Sequence, residues 1–407
     1  MVAVSLSVFV FAYSFRFGQP SVLLYYALWL PLILIDYRAV LGNYNRFYWI
    51  IAFGALACLS VFWSAAPSVT ARAGLQYASH IVCALIAART INLKTLLMGL
   101  LGGTFIVLLF SFAYGDFVYD PLDGSYAFSG MFTSKNQLGF FASLAVYAAF
   151  AYVFMPSTRR VEKVLAALVG FFGLYALVVS HSATAMIALA VTLLAVIILG
   201  ATLFFQPRTR RVFVAFGLTL AVILAVGAYS LGVVDLILGF FGKDSTLTGR
   251  TYLWTEGWLA AQESPIFGVG YQAYWVQGFS EAERLWFEFY ISARSGFHFH
   301  NTYIEALVEL GYVGCVLISL VLLRTFLGVL RGVIANKAAL EPLVLTGIMI
   351  MLVIRSFFEI DVMHPYAIGS FLLYYSAGRL MNWQTARSRT AAPVPNWAYA
   401  ADNRTRS

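Results

Sequence analysis

Charge is what this chain most lacks. Only 11% of its 407 residues are Asp, Glu, Lys or Arg, against about a quarter in a soluble globular chain. Cysteine is scarce as well. Cys58, Cys83 and Cys315 all sit inside apolar runs, none at ligand spacing, so they read as small buried hydrophobes and exclude a disulfide framework or a cysteine metal centre. There is no P-loop, no Gly-x-Ser-x-Gly elbow and no His-Glu-x-x-His motif, and Gly268-Val269-Gly270 is too weak for a nucleotide loop. The period-two alternation of an outer-membrane barrel is missing. So is the clustered basic face with interleaved aromatics that nucleic-acid binding needs. The first apolar segment has neither a basic n-region nor a small-x-small cleavage site, which argues against a removable signal peptide.

What is present is apolar: 61% of residues are hydrophobic and mean hydropathy is +0.82. The runs have lengths near the ~20 residues that cross a bilayer as helix. They fall at 2–15, 19–35, 47–64, 73–88, 95–114, 137–155, 163–180, 184–205, 212–231, 302–330, 343–360 and 363–381. The expected fold class is therefore an all-α polytopic membrane protein of about twelve helices. The organisation reads as an N-terminal bundle over 1–231, a large loop over 232–300, a three-helix part over 301–381 and a disordered tail over 382–407.

The net charge of +8 is a topology signal. Alternate connections carry Arg38 and Arg46, Arg89 and Lys94, Arg159, Arg160 and Lys163, Arg208, Arg210 and Arg211, then Arg331 and Lys337; the tail adds Arg387, Arg389, Arg404 and Arg406. Basic connections belong on the cytoplasmic side, which places both termini there. The opposite side holds most acids, among them Asp116, Asp120, Asp123, Asp244, Glu256, Glu263, Glu281, Glu283 and Glu288. It also holds the two long connections, about 115–136 and 232–300, and loops longer than about 15 residues are usually functional or disordered. The second is too aromatic for disorder. A helix capped by Thr251 is expected to present Trp254, Trp258 and Ala261 on one face, and a second amphipathic piece over 281–293 to present Leu285, Phe289 and Ser292.

Polar chemistry crowds one helix mouth, at Phe297-His298-Phe299-His300-Asn301-Thr302-Tyr303-Ile304-Glu305. Ionisable groups at a membrane boundary are costly unless paired, wetted or used. His300 is suited to removing a proton near neutral pH, or else caps the helix; His298 competes for either role. Arg250, Arg294, Lys135 and Arg72 defy the charge rule by lying outside, where they either hold phosphate oxygens or pair with loop acids. Arg355 and Glu359, at i, i+4 spacing, read as an internal ion pair, with Asp361 and His364 at the same mouth. His181 reads as a solvated loop residue and His80 as a helix–helix hydrogen bonder. The glycines of Leu310-Gly311-Tyr312-Val313-Gly314 permit close helix packing.

Three ordered blocks carry a resemblance. Gly249-Arg250, Trp254 and Ser264-Pro265-Ile266-Phe267-Gly268-Val269-Gly270 form one. His300-Asn301-Thr302-Tyr303-Ile304-Glu305 with Leu307, Glu309, Gly311 and Gly314 form another. Upstream stands Gly130-Met131-Phe132-Thr133-Ser134-Lys135-Asn136-Gln137-Leu138-Gly139. Together they resemble the O-antigen ligase and Wzy-type polymerase superfamily, and the upstream block is similar to its exopolysaccharide polymerase branch. The resemblance implies a GT-C-like, metal-independent glycosyltransferase with no cofactor, using a glycan on undecaprenyl pyrophosphate at the outer face of the bacterial inner membrane. It implies His300 as catalytic base and Arg250 as a pyrophosphate ligand. Lys135, Asn136, Arg294, Asn301, Glu305 and Arg355 are the further substrate-binding candidates. Many members carry an arginine where this chain has Ser180-His181-Ser182-Ala183-Thr184, which leaves the second phosphate cation to Lys135, Arg294 or His181. The leading reading is a polymerase of lipid-linked repeat units acting with a saccharide acceptor, with chain-length regulator and export proteins as partners. A ligase joining the finished chain to lipid A core or protein is the close alternative. A transporter or flippase is the more distant one, since transporters place ionisable groups near the midplane.

Overall fold

The computed structural model describes residues 1–35, 37, 48–120, 125–156, 158–233, 236, 239, 249–294, 296–335 and 339–390. Arg38, Arg46, Asp123, Asp244, Lys337 and the tail beyond 390 lie outside them. Helix dominates, as it must where apolar runs offer the backbone no water to bond. Among the described residues the chain begins with α1 (Val2–Phe17), α2 (Gln19–Trp29), α3 (Pro31–Ile35), α4 (Tyr48–Leu59), α5 (Pro67–Thr90), α6 (Leu93–Tyr114), α7 (Lys135–Val153), α8 (Arg160–Val179) and α9 (Ala183–Ala201). The chain continues through α10 (Pro207–Ser230), α11 (Arg250–Glu263), α12 (Ser280–Glu288), α13 (Thr302–Ala335), α14 (Leu340–Ser356) and α15 (Ile368–Thr390). Helix starts carry recognisable caps. Asn92, Ser134 and Ser182 each accept a backbone N–H at the mouths of α6, α7 and α9, satisfying donors a helix start leaves orphaned.

Among the described residues, six helices are long and apolar enough to cross a membrane, at 93–114, 135–153, 160–179, 183–204, 207–228 and 302–335. The shorter apolar helices Val2–Phe17, Gln19–Ile35 and Tyr48–Phe62 fill other expected spans. α7 is the most enclosed of the six, against α6 and α8. α8 instead exposes Val161, Leu165, Leu168, Phe171 and Leu174. An apolar stripe that size is stable against lipid rather than water, and the chain is a multi-pass membrane protein.

Several boundaries differ from expectation. The 115–136 connection is not wholly irregular. It contains an antiparallel hairpin of β1 (Asp116–Asp120) and β2 (Ser125–Gly130), with Phe117 opposite Phe128 and Tyr119 opposite Tyr126. Aromatic and β-branched residues favour that pairing, so the described residues are helical with one hairpin. α11 begins at Arg250 after a left-handed Gly249, not at a Thr251 cap. Its buried face is Leu253, Gly257 and Ala261, and Trp258 is 46% exposed. The reason is steric, because Gly257 lies against Phe299 and Ile304, leaving the tryptophans to flank the contact. α12 stops at Glu288, followed by a left-handed Tyr290. It buries Leu285 as expected and leaves Ser292 exposed beyond its end.

α13 is broken at Gly311, where φ is 64° and ψ −166°. The break releases carbonyls that the 265–270 turn uses. Val269 N–H donates to Val308 O at 3.0 Å and Gly270 N–H to Glu309 O at 2.8 Å, while Tyr312 N–H donates back to Pro265 O at 2.8 Å. A Cβ on Gly311 would overlap the Ile266 backbone, and one on Gly268 the Glu309 backbone. The close approach expected at Gly311 is there, with a loop backbone as its partner. Gly311→Ala and Gly268→Ala should each cost about 2–4 kcal/mol, through overlap and a strained left-handed φ. Gly217→Ala, with nothing near its Cβ, should be close to neutral. Thermal unfolding of the detergent-solubilised variants measures this, and an unchanged midpoint for Gly311→Ala contradicts the backbone stitch.

Candidate active site

The strand of chain entering α13 is fixed residue by residue. Phe299, fully buried among Tyr274 and Trp275, has both backbone groups held by side chains. Its carbonyl accepts from Trp254 Nε1 at 2.9 Å, and its N–H donates to Glu305 Oε2 at 2.8 Å. Glu305 Oε1 takes Trp275 Nε1 at 3.0 Å. Asn301 then caps α13, its Oδ1 accepting from Tyr303 N at 2.9 Å and Ile304 N at 3.2 Å, while its Nδ2 donates to Phe357 O at 3.2 Å. Between these anchors His300 is held at φ 52°, a conformation a non-glycine residue adopts only when its surroundings impose it. Its N–H donates to His298 Nδ1 at 3.0 Å.

The second half of the site comes from the 357–367 connection. Glu359 is 5% exposed, with Arg250 Nη2 3.0 Å from Oε1 and His300 Nδ1 3.4 Å from Oε2. Arg250 Nη1 also donates to Phe358 O at 2.9 Å, and Thr302 Oγ1 donates to Glu359 O at 2.7 Å. The expected pair of Arg355 with Glu359 is corrected. α14 ends at Ser356, so Glu359 is not one turn along the same helix, and Arg355 bonds Asp361 through Nε at 2.6 Å and Nη2 at 3.3 Å. His364, at the same mouth as expected, meets Gln272 Nε2 through Nδ1 at 3.0 Å.

Electrostatics divide these groups. Burial alone would raise the Glu359 carboxyl, but His300 and then Arg250 outweigh it and hold it well below the usual carboxylate range,. Burial, helped by neighbouring His300, holds His298 well below the ordinary imidazole value, and burial lowers His364 to about 4. Asp361 is raised by burial against the opposing pull of Arg355. His300 Nδ1 is buried without a hydrogen-bond partner, although its ring keeps 21% exposure. The 3.4 Å approach to Glu359 is thus an ion-pair distance without hydrogen-bond alignment. Facing an ionised carboxylate, Nδ1 is where a neutral ring carries its proton, which leaves the Nε2 lone pair on the open edge.

The other sequence candidates are placed as follows. Lys135 and Asn136 open α7, where Asn136 Oδ1 accepts from Ser182 Oγ at 2.9 Å. The same helix presents Phe140, whose ring lies 4.1 Å from the Arg355 guanidinium. Arg294 pairs with Glu283 at 3.1 Å on the loop surface, and Arg72 and His181 are exposed. Both oxygens of Glu305 and both ends of Asn301 are occupied by the protein itself. His80 bonds Tyr25 at 3.0 Å inside the bundle, as expected of it. Sequence reasoning missed Glu359 as the partner of Arg250 and His300, because chain separation hides it. His298, His300 and Glu359 also offer three ligand-type atoms within 4.8 Å of one another; the Arg250 guanidinium bonded to the same carboxylate opposes a second cation there.

Stability should depend on pH through the buried imidazoles. Unfolded histidines titrate near 6.5, whereas burial lowers His364 to about 4 and holds His298 well below the ordinary imidazole value. Between about pH 6.5 and 4 these two imidazoles bind more protons in the unfolded chain, so their contribution to stability falls as pH falls,. Glu359, depressed in the fold, adds its own loss only below about pH 4.5, the unfolded carboxylate range. Between pH 7.5 and 5 the melting midpoint in detergent should fall for the wild type relative to His364→Asn; parallel slopes for both proteins contradict this.

Comparison with known proteins now bears on this geometry. The family model described as O-antigen ligase matches residues 164–319, which include Arg250 and the strand carrying His300. The chain is 52% identical over 388 residues to the exopolysaccharide production protein ExoQ of Rhizobium meliloti (strain 1021), covering 95% of this chain and 89% of that protein. With the ordered sequence blocks and the site they assemble, this chain belongs to the O-antigen ligase and Wzy-type polysaccharide polymerase family, in its exopolysaccharide branch.

Proposed function

We propose that the protein extends an exopolysaccharide by transferring a glycan from an undecaprenyl-pyrophosphate carrier to a saccharide hydroxyl, at the periplasmic mouth of the bundle. The observation that carries this is the sharing of Glu359 between Arg250 and His300. It sets a cation suited to a diphosphate beside an imidazole suited to deprotonating a hydroxyl. In the reaction the acceptor oxygen attacks the anomeric carbon and its proton passes to His300 Nε2. The bond from that carbon to the diphosphate breaks, and the leaving oxygens take their charge against Arg250. Arginine's planar fork matches phosphate oxygens, and stabilising charge on a leaving group is usually the largest catalytic contribution. The donor arrives activated, so no nucleotide and no metal are needed in this scheme. Arg355, at the same mouth and bonded to Asp361 through Nε and Nη2 with its Nη1 unpaired, supports the field around the anion. Lys135 and Asn136 serve the donor from the α7 side, and Arg294 from the loop. Glu305 and Asn301 contribute by holding the His300 strand in shape.

Polymerisation is favoured over ligation by the Lys135-Asn136 block and by the relative named for exopolysaccharide production. Transport is disfavoured because the ionisable groups gather in connections at helix ends. His300→Ala should reduce polymer about 10²–10⁴-fold, the usual worth of a positioned proton acceptor, at unchanged protein level. Analysis of carrier-linked glycans in those cells should show single repeat units. Full-length carrier-linked polymer would reassign the protein as a ligase, and wild-type polymer length would remove His300 from the chemistry.

A further inference from the structure

Arg250 as it stands is already spent. Its Nη2 lies on Glu359 Oε1 at 3.0 Å, its Nη1 on Phe358 O at 2.9 Å, and only 14% of its side chain is exposed. His300 is the counterpart, with its Nδ1 buried 3.4 Å from Glu359 Oε2 and lacking a hydrogen bond. One carboxylate thus bonds the phosphate-binding cation through Oε1, while its Oε2 stands 3.4 Å from the base without an aligned hydrogen bond.

We infer that Glu359 is a donor-operated switch: the diphosphate displaces its carboxylate from Arg250, and the freed carboxylate completes the hydrogen bond to His300 Nδ1–H. The inference rests on the donor and base roles given above and adds an order to them. His300 becomes a competent base only once a donor is seated, so the donor must bind before the acceptor is deprotonated.

The surroundings narrow the choice open to Glu359. Its backbone is fixed, with its N–H donating to Arg355 O at 2.7 Å and its carbonyl accepting from Thr302 Oγ1 at 2.7 Å, so the side chain pivots while the loop stays. Of the charged and titratable groups around it, Arg355 on α14 is bonded to Asp361 through Nε and Nη2, with its Nη1 buried and unpaired, and His364 is bonded to Gln272. His298 Nδ1 is engaged by the His300 N–H. Once Arg250 turns to phosphate, His300, whose Nδ1 already stands 3.4 Å from Oε2, is placed to hydrogen-bond the buried carboxylate, and such a charge left unpaired is costly,. Closing from 3.4 Å to the roughly 2.8 Å of a charge-assisted bond needs only a small rotation.

Competition and activation make opposite demands on one residue, which separates the switch from a structural role. The protein in detergent is titrated with a sugar-free polyprenyl diphosphate for affinity, then given lipid-linked oligosaccharide at saturation for rate. Glu359→Gln should bind the diphosphate about threefold or more tightly, because its competitor for Arg250 is gone. The same variant should transfer about 100-fold more slowly, because His300 loses its partner. Glu359→Asp, which keeps the charge at shorter reach, should hold wild-type affinity within about twofold and turn over at an intermediate rate. It decides the matter alone should the Gln variant not fold. Weakened affinity together with slowed transfer in either variant, or no change in both, overturns the switch. A wild-type protein that does not bind the diphosphate overturns the donor reading itself, and the switch with it.

Discussion

A carboxylate that is 5% exposed cannot stand alone in a membrane protein. Burying an ion costs several kcal/mol unless opposite charge and hydrogen bonds meet it. Glu359 meets that demand by drawing on two distant parts of the chain, Arg250 from the start of α11 and His300 from the strand entering α13. Its own carbonyl is tied to Thr302, so the 357–367 connection and the mouth of α13 behave as one body. The electrostatic need of a single acid therefore assembles the groups to which we assign the chemistry. Arg355 and Asp361 form a second, separate pair beneath it, resting on Phe140 of α7.

That assembly needs a rigid frame, and the frame is made of backbone. The break at Gly311 exposes carbonyls of α13 to the 265–270 turn, which adds strand-like hydrogen bonds to the side of a helix. Trp254, Trp275 and Glu305 then grip Phe299, and His300 is left in a left-handed conformation it would not adopt unaided. Strain of this kind, of order 1–3 kcal/mol, persists only where neighbours over-determine it. Here they do so one residue from the imidazole. Aromatic packing in the large loop is thereby coupled to the geometry of the imidazole that we propose as proton acceptor.

How much of this could be read in advance follows from range. Apolar runs report lipid exposure directly, so helices occupy nearly every expected span. The blocks around Arg250 and His300 pointed to two segments that the fold brings together at Glu359, and their glycines, tryptophan and cap asparagine each have a local backbone reason. The end of α14 gave no such signal. Phe357 and Phe358 continue the apolar run, and no proline comes before Pro365, so Glu359 looked like the next turn's partner for Arg355. Stopping at Ser356 instead hands Asp361 to Arg355 and frees Glu359 for residues 59 and 109 positions away. The cap at Gly249 was misread for a smaller reason, since Gly, Ser and Thr all serve at a helix start. The hairpin over 116–130 was passed over because its polar flanks read as loop.

The central claim is that this protein makes glycosidic bonds using the energy of a lipid diphosphate. Its most direct test is purified wild-type protein in detergent or nanodiscs, given a carrier-linked oligosaccharide with no nucleotide and with a chelator present. The account predicts lengthening of the carrier-linked glycan with matching release of free carrier diphosphate. Intact donor at the end of the incubation, or donor moved across a bilayer without any longer product, would contradict it.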